Sequence, residues 1–200
     1  MQLLLIRHAL PVASRDSADP PLADLGRSMA SRLPGALARH GVTRIVSSPQ
    51  LRAYQTAAAV AESLSLSIDV DDRLAEYDHG LSEYVPAEQM REQDPNAFAR
   101  LLAGELPAGV DADAFKDRVI AAAADLSAGS DRSDVIAVFS HGGVINVLLQ
   151  HALDTPRTFP FRIDYASITH LRYRTEDKPV VLGVNNIEHV WDLLPRRSRR

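Results

Sequence analysis

Gln2-Leu3-Leu4-Leu5-Ile6-Arg7-His8 is an uninterrupted apolar run that ends in two basic side chains. A run without polar alternation is typical of a strand that is buried on both faces, as in a parallel sheet covered by helices. The pattern therefore predicts a strand over residues 2–6. It also predicts that Arg7 and His8 lie at the carboxyl end of this strand.

Two later stretches repeat this pattern. Arg44-Ile45-Val46-Ser47 predicts a second strand, which is followed by Ser48-Pro49 and then by Arg52. A serine followed by proline is typical of a helix N-cap with proline at the first helical position. Val135–Phe139 predicts a third apolar strand, which runs into Ser140-His141-Gly142-Gly143 and a helix to about residue 152. All three strands thus end in polar or basic side chains.

The remaining elements alternate between helices and strands, which is typical of an α/β domain. Five apolar residues at helical spacing predict a helix that Pro34 kinks or ends: Leu22, Leu25, Met29, Leu33 and Leu37. Another helix is predicted over Asp113–Leu126. Further strands are predicted over residues 66–71, 167–173 and 180–185, the last two as a terminal pair.

Residues 76–110 interrupt this alternation with a stretch rich in charged and aromatic residues. We expect one or two helices around residues 86–103 and interpret the stretch as a small helical cap. Its apolar residues would line the cap or pack its own small core: Tyr77, Leu81, Tyr84, Val85 and Met90. The cap belongs to a single predicted domain over residues 1–195. Residues 196–200 form a basic tail, which we expect to be solvated and disordered.

Composition excludes several classes of protein. A chain of 200 residues with 46% hydrophobic residues suits one domain with a sizeable core. The absence of cysteine excludes disulfides, thiol catalysis and cysteine metal sites. No apolar run approaches the roughly 18 residues of a membrane-spanning helix, and no basic region precedes the first run, so we expect a cytoplasmic protein.

Charge argues against nucleic acid as a partner. The net charge is −4, and the tail holds four of the 22 basic residues. The rest of the chain is therefore clearly acidic, whereas proteins that bind nucleic acid present basic surfaces.

The three strand ends predict one ligand site. In an open α/β sheet, ligands bind beyond the carboxyl ends of the strands. If the three strands are parallel neighbours, Arg7, His8, Arg52 and His141 converge there. Two arginines and two histidines near helix N-termini form an anion site, for which phosphate is the natural ligand.

Four segments, in this order, resemble the motifs of the histidine phosphatase superfamily, also called the phosphoglycerate mutase-like family. They are Arg7-His8-Ala9, Ser48-Pro49-Gln50-Leu51-Arg52-Ala53-Tyr54-Gln55-Thr56, Leu74-Ala75-Glu76 and Ser140-His141-Gly142-Gly143. The resemblance covers nearly the whole chain. It implies a three-layer α/β/α sandwich with a mostly parallel central sheet and a small helical cap insertion.

The resemblance also implies catalytic roles. His8 would be the nucleophile that carries the phosphoryl group as phosphohistidine, and Glu76 would be the general acid and then the base for water. The other catalytic residue would be His141. The phosphate-binding residues would be Arg7, Arg52, His141, Ser14 and the Gly142 amide. No metal or cofactor is implied, because two arginines supply the positive charge, and Asp78-His79 lacks obvious partners for a metal site.

The function that follows is a metal-independent phosphatase that hydrolyses phosphomonoesters through phospho-His8. Its partner would be a small phosphorylated substrate, with no nucleic acid and no membrane; a homodimer and the identity of the substrate stay open. Two alternatives also stay open: mutase-type phosphoryl transfer on a small metabolite, and a catalytically weak phosphate-binding regulatory module. The proton donor could be a neighbouring carboxylate, of Asp78, Glu83 or Glu88, instead of Glu76.

Three residues depart from the family motifs. Ala9 stands where the first motif has glycine, and Ser14 stands where the segment after it usually has asparagine; Leu10 also differs. These differences motivate the regulatory alternative. The short loop from Ser14 to Leu22 argues against a phosphoglycerate mutase, because the mutases use a longer loop there to contact their substrate.

Overall fold

A computed structural model of the chain describes residues 1–14, 17, 19–80, 87–156, 159–174 and 178–194. Within them lies a six-stranded sheet of spatial order β3-β2-β4-β1-β5-β6. The strands are β1 (Gln2–Arg7), β2 (Arg44–Ser47), β3 (Ile68–Val70), β4 (Val135–Ser140), β5 (Ile168–Arg172) and β6 (Val180–Asn186). The first four are parallel to one another, whereas β5 is antiparallel to both β1 and β6. The sheet is therefore mostly parallel, as predicted, and the terminal pair of strands at one edge is antiparallel.

Helices cover both faces of this sheet. They are α1 (Asp24–Ala30), α2 (Leu33–Leu37), α3 (Leu51–Leu64), α4 (Ala87–Gln93), α5 (Pro95–Leu102), α6 (Ala112–Ala128) and α7 (Gly142–Leu153). Leu3 and Leu5 of β1 pack with α6 and α7, whereas Leu4 and Ile6 pack with α1, α2 and α3. Successive side chains of a strand point to opposite faces. The uninterrupted apolar run of β1 is thus explained by two separate cores, one on each face.

The helix predicted over the apolar residues 22–37, with a kink or an end at Pro34, is interrupted close to that residue. It is divided into α1 and α2, because Pro34 lies in the first turn of α2, where its missing N–H is tolerated. Leu33 is buried as predicted, but Leu25 is 37% exposed.

The predicted N-cap at Ser48 is also wrong. The helix begins at Leu51, and Gln50 occupies the N-cap position with extended backbone. Ser48 instead lies in the turn between β2 and α3, where its side chain is buried. Its hydroxyl is used in a tertiary contact of the candidate site.

The predicted cap region contains α4 and α5. Leu81, Glu83, Tyr84 and Val85 lie outside the described residues, as does the basic tail over 196–200. The division into one domain with a cap therefore stays a prediction. In the described part of the chain, no helix has the length and apolar character needed to cross a bilayer.

Candidate active site

The three predicted strand ends meet at one edge of the sheet. Arg7 at the end of β1 is paired with Ser140 at the end of β4, and Ser47 of β2 is paired with Phe139. The residues that follow these strands therefore share one pocket. The ring centroids of His8 and His141 are 5.2 Å apart, which confirms that residues 133 positions apart in the chain meet here.

His8 is held as a neutral ring with a defined tautomer. Its side chain is buried, and Nδ1 lies 2.8 Å from the carbonyl oxygen of Ala9. A carbonyl oxygen can only accept, so Nδ1 carries the proton and Nε2 carries the lone pair. Burial, together with the charges of Arg52 and Arg7, holds the pKa of His8 well below its ordinary value. Nε2 is therefore available as a nucleophile at neutral pH.

Arg7 is oriented by two contacts. Its Nη1 donates to the carbonyl oxygen of Ile163 at 2.6 Å, and its guanidinium lies 3.9 Å from the ring centre of Tyr165. The stacked ring of Tyr165 also lies 5.6 Å from the ring of His8. A planar guanidinium held in this way presents its charge in a fixed direction.

Arg52 is 1% exposed although it lies in the first turn of α3. Its Nη2 donates to both carboxylate oxygens of Asp78 at 3.0 Å. Its Nη1 lies 3.6 Å from a carboxylate oxygen of Asp19, which also accepts from the backbone nitrogen of Leu51. A buried charge requires such partners, because its desolvation is otherwise costly.

His141 precedes α7 and is fully buried. Its Nε2 lies 2.8 Å from the hydroxyl of Ser48. Among the described residues its Nδ1 has no hydrogen-bond partner, so one ring nitrogen is available to a ligand. Burial and the positive charge of Arg52 hold the pKa of His141 well below its ordinary value. Gly142 begins α7, where backbone N–H groups have no partner within the helix.

Glu76 reaches this pocket from the segment after β3. Its side chain accepts hydrogen bonds from the backbone nitrogens of Gly143 at 2.8 Å and Tyr77 at 3.2 Å. Burial, and secondarily the charge of Asp78, raises the pKa of Glu76 to about 7, against the opposing effect of these N–H groups and of Arg52. A buried carboxyl with this pKa can donate a proton near neutral pH and accept one later.

Ser14 is partly buried in the loop after β1, and its predicted phosphate-binding role stays a prediction. The other residues proposed from the sequence for catalysis or phosphate binding are at the strand ends described above or beside them. Asp78 accepts from Arg52 through both carboxylate oxygens. The choice between Glu76 and a neighbouring carboxylate as proton donor stays a prediction. Within the described ranges, no group of three or more histidine and carboxylate side chains is arranged to hold a metal ion.

Sequence reasoning missed several residues of the site. Gln50 accepts from the backbone nitrogen of Glu76 and donates to Asp78. Arg118 of α6 donates to the carbonyl oxygens of Arg73 and Glu76. These contacts join residues 26 to 45 positions apart, and no local pattern signals them. The only feature of the sequence that indicates any of these contacts is the position of Asp78, two residues after Glu76.

Comparisons with known proteins point to one family. A sequence model of the histidine phosphatase superfamily (branch 1) matches residues 3–187. A bifunctional protein of Mycobacterium tuberculosis is 32% identical over 195 residues, which are 92% of this chain and 53% of that protein. The chain thus spans about half the length of the curated relatives it matches first. Phosphoserine phosphatase 1 of Hydrogenobacter thermophilus is 35% identical over 105 residues, half of each chain.

Solved structures share the fold. The native structure of mycobacterial glucosyl-3-phosphoglycerate phosphatase has a TM-score of 0.78 and 25% sequence identity, and the similarity covers 92% of this chain and 98% of that one. The α/β architecture with a mostly parallel sheet is therefore shared over nearly the whole chain.

Proposed function

Because this chain belongs to the histidine phosphatase superfamily, we propose that it is a metal-independent phosphatase that hydrolyses small phosphomonoesters through a phosphohistidine on His8. The observation that carries this proposal is the state of His8. Its Nδ1 bonds the carbonyl oxygen of Ala9, and its neutral ring lies in a pocket with two buried arginines.

In the first step, Nε2 of His8 attacks phosphorus and forms an N–P bond while the ester P–O bond breaks. Arg7, Arg52 and His141 hold the non-bridging oxygens, and the N–H of Gly142 adds a donor. These groups stabilise the charge that is spread over the oxygens in the transition state. The proton of Glu76 passes to the leaving oxygen, which departs as an alcohol.

In the second step, a water molecule attacks the phosphohistidine. The carboxylate of Glu76 accepts its proton, an O–P bond forms and the N–P bond breaks. The products are inorganic phosphate, neutral His8 and protonated Glu76, so the enzyme returns to its starting state. Positive charge comes from the two arginines, and the proposed chemistry requires no metal or other cofactor.

The relatives suggest the class of substrate. Two of them are named for phosphatase activity, one on phosphoserine and one on glucosyl-3-phosphoglycerate. We therefore expect a small phosphorylated metabolite as substrate. A cytoplasmic location, a homodimer and the absence of nucleic-acid and membrane partners stay predictions from the sequence.

The test is hydrolysis of an aryl phosphate in the presence of a chelator by the wild type and by His8→Ala. We expect turnover by the wild type and its loss in the variant, whose fold is checked by thermal unfolding. Denaturation of the wild type in alkali during turnover should trap a phosphoryl group on the protein that is stable in base and lost in acid. Full activity in His8→Ala would overturn the proposal.

Two further measurements, of product isomerisation and of phosphate binding, separate the alternatives. A mutase would isomerise a phosphorylated metabolite without net release of phosphate. A regulatory module would bind phosphate tightly and would turn over neither the aryl phosphate nor the phosphorylated metabolite. Either result would replace the phosphatase assignment.

A further inference from the structure

Gln50 uses both ends of its side-chain amide inside the candidate site. It is 2% exposed and lies directly before α3. Its Oε1 accepts from the backbone nitrogen of Glu76 at 2.7 Å, and its Nε2 donates to a carboxylate oxygen of Asp78 at 2.9 Å. Glutamine offers a donor and an acceptor without a charge, which is what these two partners require.

The two bonds of Gln50 join two functional parts of the site. Asp78 also accepts from Arg52, at 3.0 Å, so the amide and the guanidinium hold the same carboxylate. Arg52 is the proposed phosphate-binding residue of α3, whereas Glu76 is the proposed proton donor of the segment after β3. The amide therefore connects the element that holds the phosphate to the segment that delivers the proton.

The backbone of Gln50 connects to the second histidine as well. Its N–H donates to the hydroxyl of Ser48 at 3.3 Å, and that hydroxyl lies 2.8 Å from His141. Gln50 thus makes three hydrogen bonds, to Glu76, Asp78 and Ser48. It lies between Glu76 on one side and the groups proposed to hold the phosphoryl oxygens on the other.

We propose that Gln50 is a positioning residue, which fixes the carboxyl of Glu76 relative to the leaving oxygen of a phosphate bound at Arg52. The inference rests on the proposed phosphatase function. Gln50 touches neither the phosphate nor the leaving group in this scheme and acts through the backbone of Glu76 and through Asp78. Proton transfer requires a donor within hydrogen-bond reach, so a small displacement of Glu76 lowers the rate.

The charged and titratable groups around Glu76 set the expected pH effect. They are Asp78 on its own segment, Arg52 of α3 and Arg118 of α6. Burial makes the largest contribution to the raised pKa of Glu76. A loosened segment would admit water, and the pKa of Glu76 would then fall toward its ordinary value.

The first variant is Gln50→Met, which keeps a side chain of similar length but removes both amide bonds. We expect kcat/KM on an alkyl phosphate to fall by about 10- to 100-fold and on an activated aryl phosphate by less than about 3-fold, because the aryl leaving group needs little protonation. The basic limb of the alkyl pH profile should move to lower pH.

Gln50→Glu is the second variant and decides the question if Gln50→Met does not fold. It keeps an acceptor for the N–H of Glu76 but sets a carboxylate against Asp78. We expect the basic limb to move to higher pH, because an added negative charge disfavours ionisation of Glu76.

Gln55→Met is the matched control. Gln55 lies on the same helix, and its Oε1 accepts from the backbone nitrogen of Leu22 at 2.8 Å. It makes the same kind of bond to a different loop, so it should leave the ratio of alkyl to aryl activity and the basic limb unchanged.

An unchanged alkyl-to-aryl ratio and an unmoved basic limb in the Gln50 variants would overturn the inference. Such a result, with turnover in the wild type and none in His8→Ala, would leave the proposed function intact. Activity in His8→Ala would instead remove the proposed function.

Discussion

The carboxylate of Glu76 accepts a hydrogen bond from the backbone nitrogen of Gly143, the second residue of α7, at 2.8 Å. A Cβ at position 143 would overlap this carboxylate and lie only 2.9 Å from its carboxyl carbon. An alanine here would have to displace this carboxylate, because the side chain of Glu76 approaches closely; the backbone conformation is helical and does not itself require glycine. The N-terminus of α7 thus holds the proposed proton donor.

Gly143→Ala should uncouple proton donation from phosphate binding. Alanine favours a helix over glycine by about 1 kcal/mol, so the fold should persist while Glu76 is displaced. We expect alkyl phosphate hydrolysis to fall about 100-fold and aryl phosphate hydrolysis about 5-fold or less. Gly35→Ala in α2, where an added Cβ meets nothing within 4 Å, is the control and should change neither rate.

The pH dependence of alkyl phosphate hydrolysis should report the titration of Glu76. Its pKa is raised to about 7, and leaving-group departure needs its protonated form. We expect kcat/KM on an alkyl phosphate to fall about tenfold for each pH unit above that pKa. Glu76→Gln should lose most alkyl activity and retain more aryl activity. Equal losses on both substrates would assign the proton to another group.

Glu76 should also make folding stability depend on pH. Its pKa is about 7 in the folded protein against an ordinary value of 4.5, so the unfolded chain releases the proton first as pH rises. The free energy of unfolding therefore falls between these two values, by about 3 kcal/mol for this group. Urea unfolding should show that the free energy of unfolding of Glu76→Gln rises relative to that of the wild type as the pH increases from 5 to 8. A constant difference across this range would contradict the raised pKa.

Arg52→Lys should lower the activity on alkyl and aryl phosphates to the same extent. The guanidinium bonds two oxygens of Asp78 in a geometry that a lysine ammonium cannot reproduce. We expect kcat/KM to fall about 100-fold on alkyl and aryl phosphates together, because phosphoryl charge is stabilised in both reactions. Arg32→Lys is the control, since Arg32 pairs with Asp192 on the surface. A loss confined to alkyl phosphates would give Arg52 a role in proton donation.

Much of the fold could be predicted because burial on both faces of a sheet leaves apolar runs. The strand over Arg44–Ser47 was predicted with its observed bounds, and the terminal pair β5 and β6 was predicted within two residues. Local signals failed where tertiary contacts compete with them. Ser48 has the residue type of an N-cap, but its hydroxyl is engaged by His141 and Gln50.

Periodicity and residue type predict that Arg7, His8, Arg52 and His141 lie at or after the ends of strands, because both are local properties of the sequence. Folding sets the lowered pKa of His8, the raised pKa of Glu76 and the side-chain bonds of Gln50. These properties depend on burial and on partners brought from distant elements, such as Gly143, which lies 67 positions after Glu76. Proton affinity responds to desolvation and nearby charge, and neither exists until the chain has folded.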